Sequence, residues 1–202
     1  MSADPVWDGA QYVERWAGEV RVNLLRIVAL AAFYGWHLFN YLNKAPDLTP
    51  QIHFAITAAC LVWGLSALAV HLALNRRYCP PALRYGAIAM DALMATTVLL
   101  VADGPKSPLV VVYFLVVASA ALRLDLKAVW VAVLAAVLGY ATLCGQAKWR
   151  RPEMNVPRRA QVTVALALGC AGLVAGQMVR QAKRLARDYG ERLTAKDEEA
   201  KA

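Results

Sequence analysis

Cysteine is scarce and unpatterned. Four occur, Cys60, Cys79, Cys144 and Cys170, none in a Cys-x-x-Cys pair, and three lie inside apolar runs. That spacing gives neither a disulfide framework nor a zinc site, and a free thiol in an apolar run is ordinarily small packing material. A Gly-x-Ser-x-Gly elbow, a His-Glu-x-x-His helix and a Gly-x-x-x-x-Gly-Lys phosphate loop are equally absent, so no motif supports an enzyme and no catalytic residue or cofactor is assigned. Charge is sparse as well: 18% of residues are charged and 59% hydrophobic, with a mean hydropathy of +0.42. A soluble 22.0 kDa globule of this composition would expose large apolar patches, so the chain reads as one integral membrane domain. The net charge of +8 does not point to nucleic acid, because Lys and Arg gather at the edges of apolar runs. There they orient helices and meet anionic headgroups. The first twenty residues hold Asp4, Asp8, Glu14 and Glu19 and no apolar core. They do not form a cleaved secretory signal, and the first membrane helix is expected to stay in the mature protein.

What is present is a series of apolar runs separated by breakers. The most informative is the hairpin from Tyr85 to Lys127, whose arms flank Asp103-Gly-Pro-Lys-Ser-Pro108 and whose first arm carries Asp91. Asp, Gly and two prolines make the turn, and Ser107 suits a helix cap. Reading outward from it predicts an all-α integral membrane protein, a bundle of six transmembrane helices at about 22–43, 51–74, 83–102, 108–124, 128–147 and 160–179. Thr49 before Pro50 suits the start of the second span. Residues 1–21 carry Trp7, Tyr12, Val13, Trp16 and Val20 mostly on one stripe, which fits an amphipathic interfacial helix. The sixth span passes without proline into a cytoplasmic helical tail at 180–202. With both termini cytoplasmic, fifteen of the twenty-two Lys and Arg residues fall inside, which selects that orientation in a bacterial inner membrane.

Asp91 lies about 12 Å in from the cytoplasmic edge, and Arg26 and His71 about 6 Å in, so both are expected to reach towards it. Such a cluster is either a buried structural pair or a protonation or ligand switch. The histidines are expected at unmatched depths, His37 about 6 Å and His53 about 15 Å outward of their helix centres with His71 on the other side, which disfavours a haem held by two imidazoles. Arg150, Arg151, Arg158 and Arg159 in the outer loop are candidates to hold an anion or lipid phosphate. Gly172 and Gly176 form a Gly-x-x-x-Gly pair, with Ala132, Ala135, Ala136 and Gly139 as a small-residue face on the fifth span; both suit close helix packing, within one bundle or between copies. Met178, Ala182, Leu185 and Tyr189 follow the alternating spacing of a coiled-coil seam beside Lys183, Arg184 and Arg187.

Asp91 in the third span, Asp103-Gly-Pro-Lys-Ser-Pro108 at the turn, Tyr113, Ala-Ala-Leu-Arg123-Leu and a last span running into a basic helix together resemble the six-helix membrane input regions of bacterial sensor histidine kinases and membrane nucleotide cyclases. The resemblance covers about residues 20–187. It implies a non-enzymatic sensor, transducer or anchoring module, embedded in the lipid bilayer, whose tail pairs with a second copy or with a separate cytoplasmic kinase or cyclase. No phosphoacceptor, ATP-binding or cyclase segment is present in the chain. The alternatives are a small transporter or channel, whose marks would be internal repeats and broken helices, and, third, a haem-binding redox subunit.

Overall fold

The computed structural model describes residues 5–43, 49–77 and 80–199, with side chains described at 16–43, 49–77, 80 and 82–190. The stripe at Trp7, Tyr12 and Val13, and Cys79, lie outside the described side chains. Among the described residues there is no strand. Six α-helices follow one another: α1 (Pro5–Leu42), α2 (Pro50–Asn75), α3 (Pro81–Val101), α4 (Val111–Ala121), α5 (Leu126–Arg150) and α6 (Arg158–Glu199). Five segments are long and apolar enough to cross a membrane: Trp16–Leu42, Pro50–Asn75, Ala82–Val101, Leu126–Arg150 and Arg158–Gly190.

Local chemistry sets the ends. The Thr49 hydroxyl accepts from the Ile52 amide at 3.3 Å and opens α2 with proline at the first position, satisfying a donor that has no partner within the helix. Ser107 accepts from the Leu109 amide at 3.2 Å and starts a 3-10 turn, Pro108–Val110, that leads into α4. Asp125 accepts from the Lys127 amide at 3.0 Å and opens α5. At the hairpin tip, Gly104 takes φ +58°, a conformation that glycine adopts without steric cost.

Two boundaries differ from the sequence expectation. The surface segment and the first span are one unbroken helix. Glu19 can lie inside it because it is ion-paired and only 3% exposed. The fourth segment, expected to reach residue 124, is the apolar stretch Pro108–Ala121, short of the length that spans a bilayer unaided. Leu124 at φ 51° breaks it, an unfavourable conformation for a non-glycine residue. The break leaves Arg123 buried against Glu19.

The helices alternate in direction. Trp16 Nε1 donates to the Leu74 carbonyl at 2.8 Å, joining α1 to the end of α2. Arg84, Arg123 and Asp125 meet at that same end, whereas Lys106 Nζ donates to the Glu153 carbonyl at 2.6 Å at the other. α5 lies at the centre and packs on α3, α4 and α6. Ala128, Ala132 and Ala136 are fully buried along it, and Tyr113, Leu99, Leu143 and Leu168 fill the space around them. The outer surfaces carry exposed Leu24, Leu61, Leu68, Leu134, Leu138 and Leu166, the pattern of helices that meet hydrocarbon rather than water.

Glycines set how closely α5 is approached. A Cβ on Gly172 would collide with Val133 Cγ2, and one on Gly176 would lie 3.1 Å from Leu126 Cδ1. This pair therefore packs α6 on α5 within one chain. A Cβ on Gly139 would lie 2.8 Å from the Tyr113 hydroxyl, which shares a 2.7 Å hydrogen bond with Thr96 Oγ1. Gly139→Ala and Gly172→Ala are each expected to cost about 1–3 kcal/mol by overpacking. Gly169→Ala, with open space around it, is expected to be neutral or up to about 1 kcal/mol stabilising through helix propensity. Unfolding of the three variants in mixed detergent micelles checks the order.

Candidate functional site

The principal polar feature is a ladder of buried charges. On α1, Glu19, Asn23 and Arg26 share one face at steps of four and three residues. On α3, Arg84 and Asp91 stand seven apart, as Glu19 and Arg26 do, with the signs reversed. Both helices run in the same direction, so equal offsets build equal rungs. Glu19 pairs with Arg84 at 2.8 Å and Arg26 with Asp91 at 2.7 Å, each pair separated by 65 positions in the chain. The rungs are about 10.5 Å apart along the helices. A slip of seven residues would set Arg26 against Arg84 or Glu19 against Asp91, so the ladder fixes the register of α1 on α3 by like-charge repulsion as well as by attraction.

Each rung has further partners. Asp91 Oδ2 accepts from Arg26 Nη2 at 2.7 Å and Oδ1 from Trp63 Nε1 of α2 at 2.9 Å. Arg26 Nη1 donates to Asn23 Oδ1 at 3.1 Å. Arg26 Nε lies 2.7 Å from Asp91 Oδ1, but its N–H is not aligned with that oxygen, so the approach is an ion contact and not a second hydrogen bond. Glu19 also accepts from Arg123 Nε at 2.9 Å, and Arg84 continues to Asp125 at 2.8 Å. Three carboxylates and three guanidiniums thus balance, with Glu19, Arg26, Asp91 and Arg123 buried and Arg84 and Asp125 half-buried.

At the surface end of the ladder, burial pushes the Arg123 guanidinium below its ordinary range, and the Glu19 carboxylate opposes that shift. Burial also works against ionised Asp125, yet the Lys127 amide and Arg84 outweigh it and hold Asp125 below the usual carboxylate range. Its contribution to stability is therefore complete above the unfolded carboxylate range, and it is lost as pH falls through the lowered native value.

Arg26 and Asp91 are the expected pair. His71 is not part of it: it is exposed on α2, and Trp63, two turns earlier on that helix, faces Asp91 instead. Glu19, Asn23, Arg84 and Arg123 were not anticipated as members. The matched seven-residue spacing of opposite charges, Glu19 to Arg26 and Arg84 to Asp91, was the available signal.

At the other end, His37 Nε2 lies 3.1 Å from His53 Nδ1, and His53 stacks on Tyr41 with ring centroids 3.7 Å apart. The expected mismatch in their depths is overturned. Two rings this close stand at one depth in the bundle, on neighbouring helices. Ring nitrogens in direct contact leave no room for a metal between them. Among the described residues no group of three His, Cys, Asp or Glu side chains is placed to hold a metal ion.

The outer-loop arginines stay near the surface. Arg150, Arg158 and Arg159 are exposed, and half-buried Arg151 contacts Met154 Sδ at 3.9 Å. Along α6, Met178, Leu185 and Tyr189 are exposed and Ala182 is half-buried. No protein-family model matches the chain, and neither curated proteins nor solved structures show a significant similarity to it.

Proposed function

We propose that this chain is a non-enzymatic membrane sensor or transducer module that crosses the bacterial inner membrane six times, with both termini in the cytoplasm. It delivers its output through the C-terminal helix to a second copy or to a separate cytoplasmic effector. The observation that carries this reading is α6. It runs without a break for 42 residues, about 63 Å and twice the thickness of a bilayer core. Its first half is packed on α5 through Gly172, Gly176 and buried Val179. Beyond that, exposed Leu185 and Tyr189 stand one seam step apart. A stiff helix anchored in the bundle at one end, with Leu185 and Tyr189 exposed beyond the anchor, carries displacement outward. The charge ladder lies at the same end of the bundle as this exit, so a change in the packing of α1 on α3 is felt beside it.

In this reading α4 crosses as a short helix shielded by α3 and α5, its length completed by the flanking turns. Cysteine labelling from outside is expected to reach Asn155→Cys and to miss Arg77→Cys, and the opposite pattern would overturn the orientation.

Ala182→Cys and Leu185→Cys in native membranes are expected to crosslink, to a second copy or to an effector, more readily than Arg184→Cys. Two heptads do not hold a dimer alone, so the membrane helices or a partner supply the remaining contacts. Equal crosslinking at all three positions, or none, would reduce the tail to a surface anchor.

A further inference from the structure

A cavity of about 410 Å³ runs beside the ladder, walled by α1, α2, α3 and α4. Along α1 it extends from Val22 to Asn40. Eighteen residues rise about 27 Å, so the cavity is elongated along the helices. An elongated cavity of this volume suits an extended chain better than a compact ring system. Its walls are apolar over most of their length, with Ala29, Phe33, Leu99, Val112 and Val116 among them. Leu25, Phe33 and Trp36 on α1 and Leu115 on α4 line it and are also exposed. The cavity therefore opens sideways between α1 and α4, on the face that the apolar surface turns towards lipid.

Its inner end is polar and built. Arg26 and Asp91, 8% and 6% exposed, form the wall there with Trp63. Both Asp91 oxygens already accept hydrogen bonds. Arg26 offers five N–H donors, and two of them are used in aligned bonds, to Asn23 and Asp91. Arg26 therefore has donors to spare at this end. The surrounding charges already balance, and an added anion would leave a buried excess of negative charge. The matching head is a neutral oxygen acceptor, as in an alcohol, ketone or ester.

We infer that this cavity binds a neutral single-chain amphiphile taken laterally from the bilayer, with its chain between α1 and α4 and its oxygen against Arg26. The site stands whether or not the chain transmits a signal, because binding is read on this protein alone and the crosslinks at Leu185 read the tail.

The test uses the full chain in phosphatidylcholine nanodiscs and, as probe, hexadecanol carrying a mid-chain diazirine. Photolabelling is expected to saturate, to map to α1 and α4 near Ala29, Phe33 and Val112, and to be displaced by plain hexadecanol. Ionised hexadecanoic acid is expected to need about tenfold more for the same displacement, equivalent to about 1.4 kcal/mol. Ala29→Phe and Val112→Trp, which narrow the cavity from opposite walls, are each expected to lower saturable labelling about tenfold, and outward-facing Leu24→Phe to leave it unchanged. If one narrowing variant does not fold, the other and the wild-type displacement still decide. Labelling that hexadecanol does not displace, labelling spread evenly over outward-facing Leu65 and Leu68, or indifference to both narrowing variants would overturn the site. Equal displacement by the acid would overturn the neutral head.

Discussion

Replacing Asp91 by alanine is expected to cost about 3–5 kcal/mol of bundle stability, because it leaves Arg26 buried without its counter-charge. Arg26 is 8% exposed and bonds Asp91 at 2.7 Å. Within an apolar bundle it has no route to water without disturbing the packing of α1. The Trp63 indole loses its acceptor in the same variant, which adds the desolvation cost of an unsatisfied donor, about 1–3 kcal/mol. Asp91→Asn keeps an acceptor for Trp63 and removes only the charge, so it falls between wild type and Asp91→Ala. Arg26→Met combined with Asp91→Leu removes both charges at similar volume. It is expected to cost much less than the two single changes together, with a coupling energy of about 0.5–3 kcal/mol. Unfolding of the four proteins in mixed micelles measures the cycle, and strictly additive losses would show that the pair does not interact.

The second large effect is expected at Glu19. One carboxylate serves two guanidiniums there, Arg84 at 2.8 Å and Arg123 at 2.9 Å. Arg84 retains Asp125 when Glu19 is lost, but the Arg123 side chain is 1% exposed and pairs with Glu19 alone among the described ion pairs. Glu19→Ala is therefore expected to cost about 3–5 kcal/mol, most of it through Arg123. Combining it with Arg123→Met should recover more stability than combining it with a methionine at Arg84. The exchange of Glu19→Arg with Arg84→Glu gives a sharper discrimination. A simple two-residue bridge would survive reversal, whereas here Arg123 would then face a cation and Asp125 a carboxylate, so the exchanged protein is expected to be less stable than wild type. Recovery to wild-type stability in thermal unfolding would show that Arg123 is not coupled to this rung.

The two effects together give the ladder a physical role. Apolar helices slide over one another at little cost where hydrocarbon surrounds them, because the lipid tails are as apolar as the side chains. Two rungs of opposite polarity, set seven residues apart on both helices, give α1 and α3 one favoured register. In the proposed transducer this is also where a ligand in the adjoining cavity would act, since Arg26 belongs to both.

Composition and breaker residues by themselves determined that the chain is helical, apolar, and punctuated at Thr49-Pro50, at residues 103–108 and between residues 124 and 128. Those are local properties, written in side-chain solvation and in the dihedral limits of Gly and Pro, and they need no knowledge of neighbours. The pairing of Arg26 with Asp91 was also legible, because two charges within apolar runs must find each other or be expelled. Tertiary structure alone decided the remainder. Helix rotation chose Trp63 over His71 as the third partner, and no count of depth along an axis contains rotation. The inclusion of Glu19 depended on Arg84 and Arg123, distant in sequence, arriving at one point. The contact of His37 with His53 likewise depended on how α1 and α2 pack, which residue counts along each helix do not contain. The truncation of α4 followed from the burial of Arg123, since a helix continued through Leu124 would not make the turn observed there. The cavity was invisible in the sequence, because its walls are ordinary apolar residues from four helices, and only the gap between α1 and α4 makes them a site.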